Sequence, residues 1–156
     1  MATWTEQEEV DYKSLERLLE HLLRDQATDF IVIHGTTGES PCLTRQERDE
    51  VIKHVIQQVA GRCPLMVGLG GNNTREIGER ISELDPTGLS GILSVVPYYN
   101  KPSQEGMYRH FAHLAERSPL PIVLYNVPGR VGVNMAPSTA VRLARDFDNI
   151  IGIKEA

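Results

Sequence analysis

Short apolar runs alternate with amphipathic stretches along most of the chain. Five of these runs are predicted β-strands, and they begin at Phe30, Leu65, Ile92, Ile122 and Ile150. The starts are separated by 35, 27, 30 and 28 residues, which is the length of one strand–helix unit. Because the runs do not alternate with polar residues, both faces of each strand are expected to be covered, as in a parallel sheet.

The stretches between the runs have the spacing of helices. Two of the predicted helices open with a capping pattern, Thr44 with Glu47 and Asn73 with Glu76. Pro137 stands where the first turn of a later helix tolerates proline. The order of elements therefore indicates an α/β protein built from repeated strand–helix units.

A polar cluster follows each predicted strand. The clusters are residues 35–39, 70–73, 97–100, 125–130 and 154–155. The carboxyl ends of parallel strands share one edge, and in a (β/α)8 barrel that edge carries the active site. A doubly wound sheet would concentrate its ligand contacts at a switch point instead. Polar clusters at all five ends favour a partial TIM barrel.

Composition narrows the class of protein further. The chain has 156 residues, is 40% hydrophobic and carries a formal net charge of -5, so one domain or part of one is expected. The sequence has no run of basic residues of the kind that would suggest a nucleic-acid partner. Its apolar runs are all shorter than the ~20 residues that span a bilayer. Two cysteines and no visible signal peptide indicate a soluble protein of the reducing cytoplasm.

Lys154 is the candidate nucleophile, because it ends a strand that is almost entirely aliphatic. A lysine facing a barrel interior is poorly solvated, and its neutral amine can attack a ketone to form an imine. The alternative is a strand-end lysine that points to solvent or pairs with Glu155. For a lysine taken alone the alternative is favoured, since most lysines are exposed.

Other strand-end residues supply partners for such chemistry. Tyr125 and Tyr99 can shuttle protons, although each could equally be a packed aromatic residue. Thr36 and Thr37 offer hydroxyl and backbone N–H groups to a carboxylate, unless they only form a tight turn. Arg130 follows Pro128-Gly129 and can clamp a second carboxylate, or lie on a surface loop.

Two weaker patterns are set aside. Residues 68–70 resemble the opening of a dinucleotide fingerprint, but position 73 is asparagine rather than glycine. His110 and His113 are three residues apart on one helix with no third ligand after them, and they are interpreted as part of a solvated face. No metal and no cofactor are therefore expected.

Four motifs in this order resemble the dihydrodipicolinate (4-hydroxy-tetrahydrodipicolinate) synthase family. They are residues 35–40 (Gly-Thr-Thr-Gly-Glu-Ser), 97–102 (Pro-Tyr-Tyr-Asn-Lys-Pro), 125–130 (Tyr-Asn-Val-Pro-Gly-Arg) and 152–156 (Gly-Ile-Lys-Glu-Ala). The similarity runs from about Val10 to the last residue. Sialic acid lyase and sugar-acid aldolases share the lysine and the tyrosine, but the arginine of the third motif fits a dicarboxylate product.

The resemblance implies a role for each motif residue. Lys154 forms a covalent imine with pyruvate, Tyr125 passes protons to it, and Thr36 and Tyr99 complete the relay, with Tyr99 reaching a neighbouring subunit. Thr37 holds the pyruvate carboxylate, Arg130 holds the carboxylate of aspartate semialdehyde, and Gly35 is a further substrate-binding residue. The product leads to diaminopimelate and lysine, which makes the protein a Schiff-base lyase of amino-acid biosynthesis.

The resemblance also implies a homotetramer, a dimer of dimers, in which lysine can act as an inhibitor. Asn72, Glu76 and Tyr98 match positions used for lysine binding, whereas Arg45 and Arg48 stand where some members carry histidine. Regulation is therefore left open. Two other functions also remain open, namely another pyruvate-type 2-keto acid aldolase and an inactive half-barrel that serves as an assembly piece.

Residues 1–156 are interpreted as one incomplete TIM-barrel domain, with a polar segment at residues 1–9 and the family's strands two to six in residues 10–156. Residues 1–4 are too short and polar to form the first strand, and the chain stops at Ala156. Such an open sheet has two unpaired edges, which leaves Lys154 exposed to water. The isolated chain is accordingly expected to be inactive and either poorly soluble or associated.

Overall fold

The computed structural model describes residues 4–6, 9–24 and 28–156. Its strands are β1 (Ile31–Ile33), β2 (Leu65–Gly68), β3 (Gly91–Val95), β4 (Ile122–Asn126) and β5 (Ile150–Glu155). Its α-helices are α1 (Tyr12–Leu23), α2 (Arg45–Val59), α3 (Thr74–Ser82), α4 (Gln104–Ala115), α5 (Pro128–Val131) and α6 (Pro137–Asp146). Each predicted strand is present and begins within one residue of its predicted start. The chain divides into two compact units, Met1–Val67 and Gly68–Ala156.

In the first unit, β1 pairs in parallel with β2 and α1 packs against α2. The predicted capping box at the start of α2 is confirmed. Thr44 Oγ1 accepts a hydrogen bond from the Glu47 backbone N–H, and the Glu47 carboxylate accepts one from the Thr44 backbone N–H. In the polar segment at residues 1–9, Trp4 forms an isolated antiparallel bridge with Val10. Residues 1–3 and 7–8 of that segment lie outside the described residues.

In the second unit, β3, β4 and β5 form consecutive parallel pairs. Helix α4 packs against both α3 and α6, and α6 packs against β5. The buried core of this unit includes Ile92, Phe111, Ile122, Leu124 and Leu143. The predicted helix starts are confirmed, since the Asn73 side chain caps α3 and Pro137 is the first residue of α6.

Gly70 has a packing role. The Leu69 N–H donates to the Leu93 carbonyl, so the backbone after β2 runs close to β3. A Cβ at Gly70 would lie 2.7 Å from Val95 Cγ1 and 2.9 Å from Val95 N. Only glycine allows this approach without displacing backbone.

The interpretation of His110 as part of a solvated face is wrong. His110 is buried, because this side of α4 packs against α3, and its Nδ1 is hydrogen bonded to Thr74 Oγ1 at 2.8 Å. Burial, with a smaller contribution from the neighbouring His113, lowers the pKa of His110 to about 4. No described residue provides a hydrogen-bond partner for its Nε2. His110 is therefore a neutral residue of the helix–helix interface.

In the described part of the chain, no helix combines the length and the apolar character that crossing a membrane requires. Cys42 and Cys63 are both free thiols. Among the same residues, no group of three or more His, Cys, Asp or Glu side chains is placed to hold a metal ion.

Candidate active site

The candidate nucleophile lies against the candidate proton carrier on neighbouring strands of the second unit. Tyr125 near the end of β4 and Lys154 near the end of β5 are register partners, and both side chains therefore lie on the same face. Lys154 Nζ is 4.3 Å from the centroid of the Tyr125 ring. The ring is 6% exposed, whereas Lys154 is exposed to solvent as expected for the isolated chain.

Glu155, which was considered as an ion-pair partner of Lys154, is hydrogen bonded elsewhere. Its Oε1 accepts from Asn126 Nδ2 at 2.7 Å. Asn126 is 1% exposed, and the same amide nitrogen donates to Asn134 Oδ1 while its Oδ1 accepts from the Met135 N–H. Asn126 is not among the site residues predicted from the sequence, although it directly follows Tyr125 in the motif.

Arg130 is held by a single helical turn directly after β4. Pro128 begins this turn, and Gly132, in the left-handed region with φ 77°, ends it by donating its N–H to the Pro128 carbonyl. The Arg130 side chain is exposed. The backbone is thus rigid while the guanidinium remains accessible, as the clamp interpretation requires.

Tyr99 lies in a strained loop between β3 and α4. Tyr99 and Lys101 have φ values of 69° and 49°, in a region that residues with a Cβ seldom adopt. The Asn100 side chain fastens the loop by donating to the Asn72 carbonyl at 2.8 Å. Tyr99 is 87% exposed, so the loop presents its phenol to solvent. Backbone strain maintained in this way is common at functional sites.

Gly35, Thr36 and Thr37 belong to the first unit. Thr36–Gly38 forms one 3-10 turn directly after β1, and both threonines are exposed. Gly35 has φ -61°, so a requirement for positive φ does not explain the glycine at this position. The turn is therefore open to a ligand.

A cavity of about 260 Å³ in the first unit is lined mainly by apolar side chains of α1, β1 and α2. Its polar lining includes His34 and Thr37, and its apolar lining includes Phe30 and Val32, which are partly exposed. The mostly apolar lining suits hydrophobic packing better than a charged substrate.

The candidate residues for lysine binding all lie in the second unit. Asn72 accepts the hydrogen bond from Asn100, two residues beyond Tyr98. Glu76 lies in the first turn of α3, and Tyr98 is 37% exposed. Asn72 is therefore linked directly to the strained loop that contains Tyr98 and Tyr99.

This chain is similar to known proteins of one family. The model of the Dihydrodipicolinate synthetase family matches residues 1–156. The 4-hydroxy-tetrahydrodipicolinate synthase of Porphyromonas gingivalis is 54% identical over 151 residues, which are 97% of this chain and 50% of that protein. The chain thus spans about half the length of the curated relatives it matches.

Solved structures of dihydrodipicolinate synthases share the fold of this chain. The 4-hydroxy-tetrahydrodipicolinate synthase of Methylacidiphilum fumariolicum matches with a TM-score of 0.94 and 44% identity, covering 100% of this chain and 51% of that one. A dihydrodipicolinate synthase from Acinetobacter baumannii, crystallised with pyruvate, matches with a TM-score of 0.93 and 46% identity, covering 100% and 53%. The prediction of a partial TIM barrel is confirmed.

Proposed function

The chain belongs to the dihydrodipicolinate synthetase family, and we propose on that basis that it carries the Schiff-base half of a 4-hydroxy-tetrahydrodipicolinate synthase. In this proposal the enzyme condenses pyruvate with L-aspartate 4-semialdehyde on the way to diaminopimelate and lysine. The observation that carries the proposal is the 4.3 Å separation between Lys154 Nζ and the buried Tyr125 ring.

Lys154 is the nucleophile in the proposed reaction. Its neutral amine attacks the ketone carbon of pyruvate, and the resulting carbinolamine loses water to give an imine. Proton transfer is needed at both steps, because the carbonyl oxygen must gain protons before it can leave as water. Tyr125, on the same sheet face, is the group placed to transfer them. The imine then withdraws electrons from the pyruvate methyl group, which loses a proton to the Tyr125 phenolate, and the resulting enamine carbon attacks the aldehyde.

Two groups are proposed to bind the substrate carboxylates. Thr37, assisted by the backbone at Gly35, binds the carboxylate of pyruvate through the exposed 3-10 turn. Arg130 binds that of aspartate semialdehyde, for which an accessible guanidinium on a rigid turn is well suited. The reaction needs no metal or other cofactor, since the imine itself supplies the electron sink.

Tyr99 and Thr36 are proposed to complete the proton relay, with Tyr99 acting across a subunit interface. This assignment is supported by the exposure of Tyr99 and by the strained loop that projects it. It requires a homo-oligomer, proposed to be a tetramer in the complete protein and located in the cytoplasm. Asn72, Glu76 and Tyr98 remain the proposed contacts for regulatory lysine.

Reductive trapping tests the proposed function. The chain is incubated with pyruvate and borohydride and then mapped by mass spectrometry, and an adduct equal in mass to pyruvic acid less one oxygen is expected at Lys154. Lys13, Lys53 and Lys101 are internal controls for random modification. Lys154→Arg should abolish the adduct. Equal labelling of all four lysines, or no adduct at Lys154, would contradict the proposal.

The trapping rate also tests the expectation for the isolated chain. Lys154 is exposed, so water competes with the side chains that would orient pyruvate. The adduct should therefore form much more slowly than on the complete Porphyromonas gingivalis relative. Equal rates would show that this half alone builds a competent imine site. The names of the relatives do not favour the sugar-acid aldolase alternative.

A further inference from the structure

A second pair of register partners lies beside Tyr125 and Lys154. Asn126 on β4 is the partner of Glu155 on β5, and their side chains are joined by the 2.7 Å hydrogen bond from Nδ2 to Oε1. Successive residues of a strand point to opposite faces. The Asn126–Glu155 pair therefore lies on the face opposite the candidate catalytic pair.

The pairing of β4 with β5 contains an irregularity before these residues. Ile122 is paired with Ile150, but Val123 is paired with Gly152, so Ile151 is an extra residue on β5. A bulge of this kind shifts the register of everything that follows it. A further slip of one residue would turn Lys154 to the other face and remove it from Tyr125.

Hydrogen bonds with fixed partners distinguish one register from the next, because a slip of one residue would separate each donor from its acceptor. The bonds that β5 makes after the bulge are therefore the contacts that can hold Lys154 over Tyr125.

We propose that Asn126 is a positioning residue that selects this register. Its side chain binds Glu155, and its backbone carbonyl accepts the Ala156 N–H, so it holds β5 at the paired residue and at the residue after it. This inference rests on the proposed function where it treats Lys154 as the nucleophile. The register itself can be measured separately.

The same amide fixes the segment that follows Arg130. Asn126 binds the Asn134 side chain and the Met135 N–H, and Gln104 holds the segment from the other side by donating to the Asn134 carbonyl. One buried side chain thus connects the strand of the candidate nucleophile with the loop of the candidate carboxylate clamp. A satisfied buried polar network of this kind specifies a single arrangement.

A spectroscopic readout reports the register without any substrate. Because Lys154 Nζ lies near the face of the Tyr125 ring, the ring current should shift the Lys154 ε-methylene proton resonances upfield in the NMR spectrum. Asn126→Asp is nearly isosteric but replaces the donor with an oxygen that repels Glu155, and it should remove this shift. Trapping of pyruvate should slow about tenfold or more, because the donor that holds both Glu155 and Asn134 is lost.

Rescue separates positioning from general destabilisation. Adding Glu155→Gln to Asn126→Asp restores a donor–acceptor pair with the roles exchanged, and the upfield shift and trapping rate should return. Asn149→Asp, which removes the bond from Asn149 Nδ2 to the Ala115 carbonyl near the start of β5, is the matched control and should keep the shift. If Asn126→Asp does not fold, two variants of the exposed Glu155 replace it. Glu155→Ala removes the acceptor of the Asn126 bond and should lose the upfield shift, whereas Glu155→Gln keeps an acceptor oxygen and should retain the shift.

The outcomes distinguish the two proposals. A normal upfield shift in Asn126→Asp would overturn the positioning role, as would a normal shift in Glu155→Ala where that variant is used instead. The role would also be overturned if the double variant recovered neither the upfield shift nor the trapping rate. A wild-type chain that shows the shift and its rescue pattern but no pyruvate adduct would refute the proposed function and leave the positioning role standing.

Discussion

Lys154 Nζ lies 4.3 Å from the centroid of the Tyr125 ring because the two residues are register partners on adjacent parallel strands. This contact is a cation–π interaction when the amine is protonated. It places an ammonium group beside a buried phenol at the carboxyl edge of the sheet. The strand pairing itself therefore creates the candidate nucleophile–proton carrier pair.

Removing the phenol oxygen should slow imine formation while preserving the ring contact. Tyr125→Phe keeps the buried aromatic ring but cannot transfer protons, so we expect trapping of pyruvate on Lys154 to slow about 10²-fold. Circular dichroism should show unchanged secondary structure. The rate of adduct formation under borohydride is the measurement, and an unchanged rate would exclude Tyr125 as the proton carrier.

Changing the arginine should separate the two substrates. Arg130→Ala should leave the rate of pyruvate trapping at Lys154 unchanged. It should lower the rate of condensation with aspartate semialdehyde about 10²-fold or more, because one bidentate carboxylate contact is lost. Arg130→Lys should recover only part of the condensation rate, since an ammonium lacks the planar fork of a guanidinium. The measurement is the rate at which the full-length enzyme that carries each substitution consumes pyruvate and aspartate semialdehyde. An equal loss with an aldehyde that lacks the carboxylate would contradict this role.

Sequence patterns predicted the elements but not all of their side-chain partners. The aliphatic runs located every strand start within one residue, and short polar signals located the caps of α2 and α3. These features depend on neighbours within about four residues, which a sequence displays directly. The one-turn helix α5 was not predicted because it is too short to show periodicity.

The misinterpretation of His110 and the overlooked Asn126 have a common physical cause. The partner of His110 is Thr74, 36 positions earlier, and Glu155 is 29 positions after Asn126. A polar residue with such a distant partner looks like a solvated residue in the sequence. Only the packing of α3 on α4, or of β4 on β5, shows that the group is buried and hydrogen bonded.

Filling the space at Gly70 should destabilise the second unit. The new methyl group of Gly70→Ala would overlap the Val95 side chain and backbone, and backbone cannot move aside cheaply. We expect the free energy of unfolding to fall by about 1–3 kcal/mol, measured by urea denaturation. Gly129→Ala is the matched control, because nothing lies within 4 Å of its added methyl and alanine favours the helix. Equal stability of the two variants would contradict the packing role.

Protonation of His110 should destabilise the fold in acid. Burial, with a smaller contribution from His113, lowers the pKa of His110 from 6.5 to about 4 in the folded chain. Between these values the unfolded chain binds a proton that the folded chain does not, so stability is complete above about pH 6.5 and falls as the pH drops towards 4. The loss should reach about 3 kcal/mol.

A variant comparison isolates this contribution from the carboxylates that titrate in the same range. His110→Gln keeps a polar group for Thr74 but cannot be protonated, so its free energy of unfolding should change less between pH 7 and 4 than that of the wild type. His113→Gln, on the same helix and only partly buried, should keep nearly the full slope. Urea denaturation at several pH values measures both slopes. If His110→Gln and wild type lost stability in parallel, the buried imidazole would have no part in the acid sensitivity, and protonation of carboxylates would have to account for all of it.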